Sequence, residues 1–205
     1  MAAIAAIARV TDLPITADLE NGYEQDDSKL ITLIKDLLSL GVVGINVEDS
    51  HNGVLIEPLS QAHRIEIVRS AAESVGVDLF INARVDTAFY GSPDNVQRDS
   101  ECLERAMTYI AASADGVFVP GVVDLPTVKT MATALPVPLN TMVGPGSPTV
   151  AELLGAGAGR ITTGVAGALA AYARIETAAL ELLRHGTYDE LSPAQDFALF
   201  NASMR

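Results

Sequence analysis

Six short apolar runs, each followed by a longer stretch of helical period, divide this sequence from one end to the other. The runs cover residues 14–18, 42–48, 79–84, 116–119, 137–140 and 160–163. The helical stretches cover about 27–40, 59–75, 95–112, 125–134, 148–156 and 165–185, with a further helix, MAAIAAIARV, ahead of the first run. Parallel strands need a long crossover between them, so alternation of this kind specifies βαβ units and a parallel sheet. The runs GVVGINV and VDLFINA are nearly continuous in apolar character, as strands covered on both faces should be. Two architectures satisfy the pattern: an open doubly wound sheet and a (β/α)8 barrel. A barrel uses eight strands in about 250 residues, and this chain offers six in 205. Periodicity alone therefore favours the open sheet.

A chain of this length with 49% hydrophobic residues can bury one sizeable core. The net charge of −13 argues against nucleic acid and anionic membrane as partners, because both demand Lys and Arg. It is compatible with clustered acids offset by a cation. Cys102 is the single cysteine, which excludes an intrachain disulfide and a cysteine-rich zinc site. It sits in the helical pattern SECLERAM and reads as a buried thiol. No stretch of about 20 apolar residues is present, so no membrane span is expected. The opening segment lacks a basic leader region and a cleavage pattern, so it reads as a helix and the expected location is the cytoplasm.

The strand ends carry polar cargo. PITAD ends in Asp18 with Glu20 just beyond; GINVED ends in Glu48 and Asp49; FINARVD carries Arg84 and Asp86; VPLN ends in Asn140. Residues two apart on an extended chain share a side, so Asp18 with Glu20, and Arg84 with Asp86, are expected to converge. The C-terminal strand ends form the active-site face of parallel α/β folds. Acids, an arginine and an amide gathered there make a site for a divalent metal and a carboxylate, and hard oxygen ligands select Mg²⁺ or Mn²⁺ over zinc. The same acids can instead serve as helix caps and loop residues, the reading that Asp49, Asp26 and Asp27 favour. GPGSPTV reads as a turn with a helix start at Ser147 and Pro148, and GAGAGRITTG as a helix stop before a tight loop. His51, just past the acids, is the histidine best placed for proton transfer; His63 and His185 fall in helical patterns and read as exposed.

ADLENGYE, then GVVGINVEDS, then INARVDTAF, in that order, resemble the isocitrate lyase/phosphoenolpyruvate mutase superfamily, and PLNTMVGPGSPTVAELLGAGAGRITTG resembles its closing βα units. The resemblance implies a (β/α)8 TIM-barrel type fold, here N-terminally truncated with about six βα units, because relatives begin with two further units. It implies Mg²⁺ and lyase chemistry on a small 2-oxo or 2-hydroxy carboxylate through an enolate. It matches Asp18 to the direct metal ligand, and Glu20 and Glu48 to acids acting on the metal through water. Arg84 matches the arginine that binds the substrate carboxylate, and Asn140 a polar residue near the substrate. It also implies a homotetramer in which a C-terminal helix, about residues 191–200, swaps between subunits. The lysine- and cysteine-bearing loop of isocitrate and methylisocitrate lyases is replaced by SHNGVLIEPLSQ, which argues against a cysteine-dependent lyase of that kind. Phosphonomutase or phosphonopyruvate hydrolase chemistry, and an inactive fragment, stay open as alternatives.

Overall fold

A computed structural model describes residues 1–24, 26–192 and 196–203. They form two compact units, Met1–Thr162 and Thr163–Arg205. The first unit opens on α1 (Ala2–Ala8) and continues β1 (Ile15–Asp18), α2 (Asp27–Ser39) and β2 (Val42–Glu48). A two-residue-stranded hairpin follows, β3 (Ser50–His51) and β4 (Val54–Leu55), then α3 (Pro58–Glu73) and β5 (Phe80–Arg84). A short α4 (Thr87–Tyr90) precedes α5 (Asn95–Ala111), β6 (Gly116–Val119), α6 (Leu125–Ala134), β7 (Leu139–Met142), α7 (Val150–Gly155) and β8 (Arg160–Thr162).

The sheet runs β1-β2-β5-β6-β7-β8, every pairing parallel. Apart from the hairpin, spatial order is chain order. A doubly wound sheet reverses direction at a switch point; this one never does, and right-handed crossovers then place every helix on one face. A flat sheet of this width would hold its edge strands about 24 Å apart at the usual ~4.8 Å spacing. Here Arg160 on the last strand donates to the Thr16 hydroxyl on the first at 3.2 Å. Only a curled sheet permits that contact, so the barrel-type reading stands and the open sheet falls.

Curling also divides the strand residues. Ile45, Val47, Ile81, Ala83, Val117 and Leu139 are buried among helix residues such as Ile34, Ile65, Val68, Ala106 and Met131. The alternate positions carry Asn46, Glu48, Asn82, Arg84, Asn140 and Arg160, which stand side by side in register. The strands are therefore not apolar on both faces as expected: their concave side is polar, and Asn82 Nδ2 donates to Asn46 Oδ1 across it at 2.9 Å.

Acids outside the strand ends hold the helices. Asp26, Glu57, Asp94 and Asp124 accept the first backbone N–H groups of α2, α3, α5 and α6. Several expected boundaries shift by a residue or two, and two of the shifts fall beside the Asn140 strand. The fifth strand begins at Leu139 rather than 137. The next helix is capped by Thr149 in a capping box with Glu152, while Ser147 accepts the Gly144 N–H in the turn before it.

At the other end of the sheet Arg69 of α3 donates to the Leu79 and Ser113 carbonyls at 2.9 Å each and to Asp115 at 2.5 Å, and Asp115 accepts the Ile81 N–H. Asp115 is 38% exposed, so the ion pair itself contributes little and the carbonyl bonds carry the weight. Arg69→Ala is expected to cost about 1–3 kcal/mol. Urea unfolding followed by circular dichroism checks this: the midpoint should fall with the slope unchanged.

The second unit holds α8 (Ala166–His185), a 3₁₀ turn (Asp189–Leu191) and α9 (Phe197–Ser203). Gly186, at φ +68°, ends α8 in the left-handed region, and Arg174 holds the turn through Glu190. Of the helix expected over 191–200, residues 193–195 lie outside the described residues, and the helix found starts at Phe197. Among the described residues no helix is long and apolar enough to cross a membrane.

Candidate functional site

β1 ends at Asp18, and its loop turns at once. Glu20 lies at φ +48°, and its N–H donates to Asp18 Oδ1 at 3.0 Å. The extended parity expected to align Asp18 with Glu20 is thus broken; a side-chain-capped turn brings them together instead. The Glu20 carbonyl accepts the Glu48 N–H at 2.7 Å, tying this loop to the end of β2. Tyr23, also left-handed at φ +55°, donates its hydroxyl to Glu20 Oε1 at 3.2 Å. Behind them Arg64 of α3 donates to the Asn21 and Glu24 carbonyls at 2.6 and 2.8 Å. Gly22 at φ +88° is required there, since a Cβ would stand 2.7 Å from the Arg64 guanidinium.

Glu48 and Arg84 are register neighbours on β2 and β5. Arg84 Nη1 meets Glu48 Oε2 at 2.8 Å. Its Nε and Nη2 meet the two oxygens of Asp86 at 2.7 and 3.2 Å, and its guanidinium lies 5.8 Å from the Phe118 ring centroid. Ser50 bridges the two acids, donating to Asp86 at 2.7 Å with Glu48 at 3.3 Å. Asp86 is fully buried and Arg84 and Glu48 partly so. Two guanidinium N–H groups are hydrogen-bonded to Asp86 and Nη1 is ion-paired with Glu48, which leaves N–H groups on both terminal nitrogens for a planar two-oxygen ligand. Burial pulls the Arg84 guanidinium down, but Asp86, Glu48 and Asp18 outweigh it and hold it above its ordinary value. Burial pushes the Glu48 carboxyl up; Asp86 and Asp18 add to the push, and Arg84 and Ser50 oppose it.

Asp49 was expected to be a cap or loop acid. It is fully buried instead. It accepts the Asp86 N–H at 2.8 Å, the Tyr109 hydroxyl at 2.7 Å and Arg105 at 3.2 Å. Asn140 is buried too, but two strands away from Arg84; its Nδ2 reaches Thr162 at 3.4 Å, and its Oδ1 has no hydrogen-bond partner among the described residues. His51 stands over the β1 loop, its Nδ1 in short contact with the Asn21 amide and its Nε2 3.0 Å from that of Asn52. Cys102 is buried and its thiol pushed up to about 12 by burial, so it is no nucleophile.

Among the described residues no three of His, Cys, Asp and Glu are gathered to hold a metal ion as a set. A Mg²⁺ ion does not need a cage: it keeps several waters and takes one or two carboxylates. The donor set fits such binding. The Asp18 carboxylate has the Glu20 N–H as its only hydrogen-bond partner among the described residues, while both Glu48 oxygens are engaged by Arg84 and Ser50.

The sequence model of the phosphoenolpyruvate phosphomutase family matches residues 1–183. An uncharacterized protein of Mycobacterium tuberculosis is 32% identical over 162 residues, 79% of this chain and 58% of the relative. The oxaloacetate decarboxylase of Pseudomonas entomophila is 31% identical over 137 residues, 65% of this chain and 45% of that enzyme. A crystal structure from Burkholderia cenocepacia J2315, of a protein provisionally assigned as a phosphonomutase, is 37% identical, with a TM-score of 0.80 over 85% of this chain and 73% of that one. The chain spans 58% and 45% of these two curated relatives, less than two thirds of either. With the curled parallel sheet and the acids and arginine at its strand ends, these matches establish that the chain belongs to the phosphoenolpyruvate phosphomutase family, within the isocitrate lyase/phosphoenolpyruvate mutase superfamily.

Proposed function

We propose that this chain carries the carboxylate-binding and metal-binding side of a Mg²⁺- or Mn²⁺-dependent lyase site that acts on a small 2-oxo or 2-hydroxy carboxylate, with oxaloacetate as the first substrate to try. The observation that carries the reading is Arg84, clamped between Glu48 and Asp86 with N–H groups on both terminal nitrogens left to grip a carboxylate. Asp18 would ligate the metal directly, and Glu20 and Glu48 through water. When bound, the metal supplies a Lewis acid for the oxo and carboxylate oxygens. Arg84 holds the substrate so that the bond between C3 and the departing carboxylate can break. Carbon dioxide leaves, the electron pair moves toward the C2 oxygen as an enolate, and a proton delivered to C3 completes pyruvate. Asn140 would stand as a polar neighbour of the substrate, in the register row of Arg84, with its enclosed Oδ1 unpartnered among the described residues.

Assay of oxaloacetate, 2-methylisocitrate, 2,3-dimethylmalate and phosphonopyruvate with Mg²⁺ tests the reading. Pyruvate from oxaloacetate supports it. Phosphonate-derived product would favour the second reading, phosphonomutase or phosphonopyruvate hydrolase chemistry, which the Burkholderia neighbour motivates. No turnover anywhere would leave an inactive fragment. We extend the same reading to a homo-oligomer, because α8 leaves Leu169, Tyr172, Ile175 and Leu183 exposed. Light scattering on the purified chain should report a mass above 21.5 kDa.

Glu48 sets a pH prediction. Activity needs it ionised, so turnover should fall along an acid limb as pH drops through its titration; burial in the fold raises that value, and a cation bound beside it would oppose the rise. The sign for stability is opposite. A carboxyl raised in the fold contributes stability that is complete below its unfolded value and is lost as pH rises through the folded one. The acid limb should therefore appear in kcat/KM while the thermal midpoint still holds. Glu48→Gln, uncharged at every pH, should turn over little at any pH; turnover that keeps a limb of unchanged midpoint in that variant would assign the limb elsewhere.

A further inference from the structure

Asp49 touches no solvent and so cannot meet substrate, yet each of its bonds lands on a segment that carries the site. Its N–H donates to the Arg84 carbonyl at 3.1 Å, and its carbonyl accepts the Ile56 N–H at 2.8 Å, closing the β3–β4 hairpin. Its Oδ1 accepts the Asp86 N–H. Its Oδ2 takes the Tyr109 hydroxyl and Arg105 from α5, and Arg105 also donates to the Ile56 carbonyl at 2.8 Å and to Glu101 at 2.9 Å. Both backbone ends of the Arg84–Asp86 segment thus hang on one residue, Arg84 on its backbone N–H and Asp86 on its carboxylate, and that carboxylate is itself fixed by a helix on the far side of the sheet. A buried ion pair is a poor source of stability compared with apolar packing, so a network aimed this specifically calls for a reason beyond stability.

We propose that Asp49 is a positioning residue: with Tyr109 and Arg105 behind it, it sets where Asp86 holds the Arg84 guanidinium, and so how well Arg84 grips a substrate carboxylate. The proposal rests on reading Arg84 as the carboxylate-binding group. A misplacement of about 1 Å at such a grip can cost on the order of a hundredfold.

The test titrates oxalate, a plain dicarboxylate probe, into the full chain in magnesium-containing buffer by calorimetry, for wild type, Arg84→Lys, Asp49→Asn and Tyr109→Phe. Thermal unfolding of each variant runs alongside. Tyr109→Phe loses a single hydroxyl, so it remains informative if Asp49→Asn does not fold. The expected result is a folded Tyr109→Phe protein with oxalate affinity weakened about tenfold or more, and, where oxaloacetate is turned over, a KM that rises more than kcat falls. Wild-type oxalate affinity in the folded Asp49 and Tyr109 variants, alongside a weakened Arg84→Lys, would reduce the network to scaffolding and overturn the proposal alone. Wild-type affinity in Arg84→Lys would overturn the carboxylate grip and the proposal with it.

Discussion

Asp18→Ala is expected to remove metal-dependent turnover, lowering kcat/KM for oxaloacetate by about a thousandfold or more, roughly 4 kcal/mol of transition-state stabilisation. The size follows from the geometry. Glu48 already spends both oxygens on Arg84 and Ser50, and Glu20 receives the Tyr23 hydroxyl. Among the described residues Asp18 and Glu20 each keep one carboxylate oxygen uncommitted, and of the two only Asp18 stands on the strand end itself, with Glu20 in the loop beyond. The change should leave the fold intact, because Asp18 sits at a strand end and gives up only the bond to the Glu20 N–H, worth about 1 kcal/mol. Calorimetric titration with Mn²⁺ separates the two effects: affinity should be lost in Asp18→Ala and merely reduced in Glu20→Gln. Unchanged Mn²⁺ affinity and turnover in Asp18→Ala would sink the metal role.

Why some of this was legible in the sequence and some was not has physical reasons. Strand and helix positions follow from local patterning, and Val42–Glu48, Gly116–Val119 and Leu125–Ala134 emerge with the expected boundaries. The choice between barrel and open sheet is not local, since both use the same βα unit. It is decided by strand order and curl, which show in one contact between residues 144 positions apart. The polar concave side was present in the string GINVED as alternation, but the aliphatic outer positions made it read as continuous. Asp18 and Glu20 were picked out for a parity that their loop does not keep; the left-handed Glu20 joins them by another route. Asp49 could not be distinguished from a cap, because the partners that give it a role lie 56 and 60 residues away on α5. Asp86 and Ser50 had a nearer signal, the two-residue step from Arg84 and from Glu48. The same spacing that suggested convergence of Arg84 with Asp86 could have named Asp86 as the clamp.

The Arg84 variants divide charge from geometry. Arg84→Ala leaves Glu48 and the fully buried Asp86 without their cation. Removing one partner from a buried ion pair costs about 3–5 kcal/mol; Glu48 is only partly buried and can take up a proton, so the lower end applies. Urea unfolding should show that loss, and a binding defect in Arg84→Ala would be ambiguous for the same reason. Arg84→Lys keeps the charge and most of the fold. A single ammonium, however, cannot satisfy Glu48 and both oxygens of Asp86 while still presenting two parallel N–H groups to a ligand. The expected result is a thermal midpoint near wild type with KM for oxaloacetate raised about a hundredfold and kcat reduced less, equivalent to roughly 2.7 kcal/mol of lost binding. Were KM to stay at the wild-type value in Arg84→Lys, the substrate carboxylate would be held by another group, and Arg160, the other arginine in the same register row of the concave side, would be the next residue to replace.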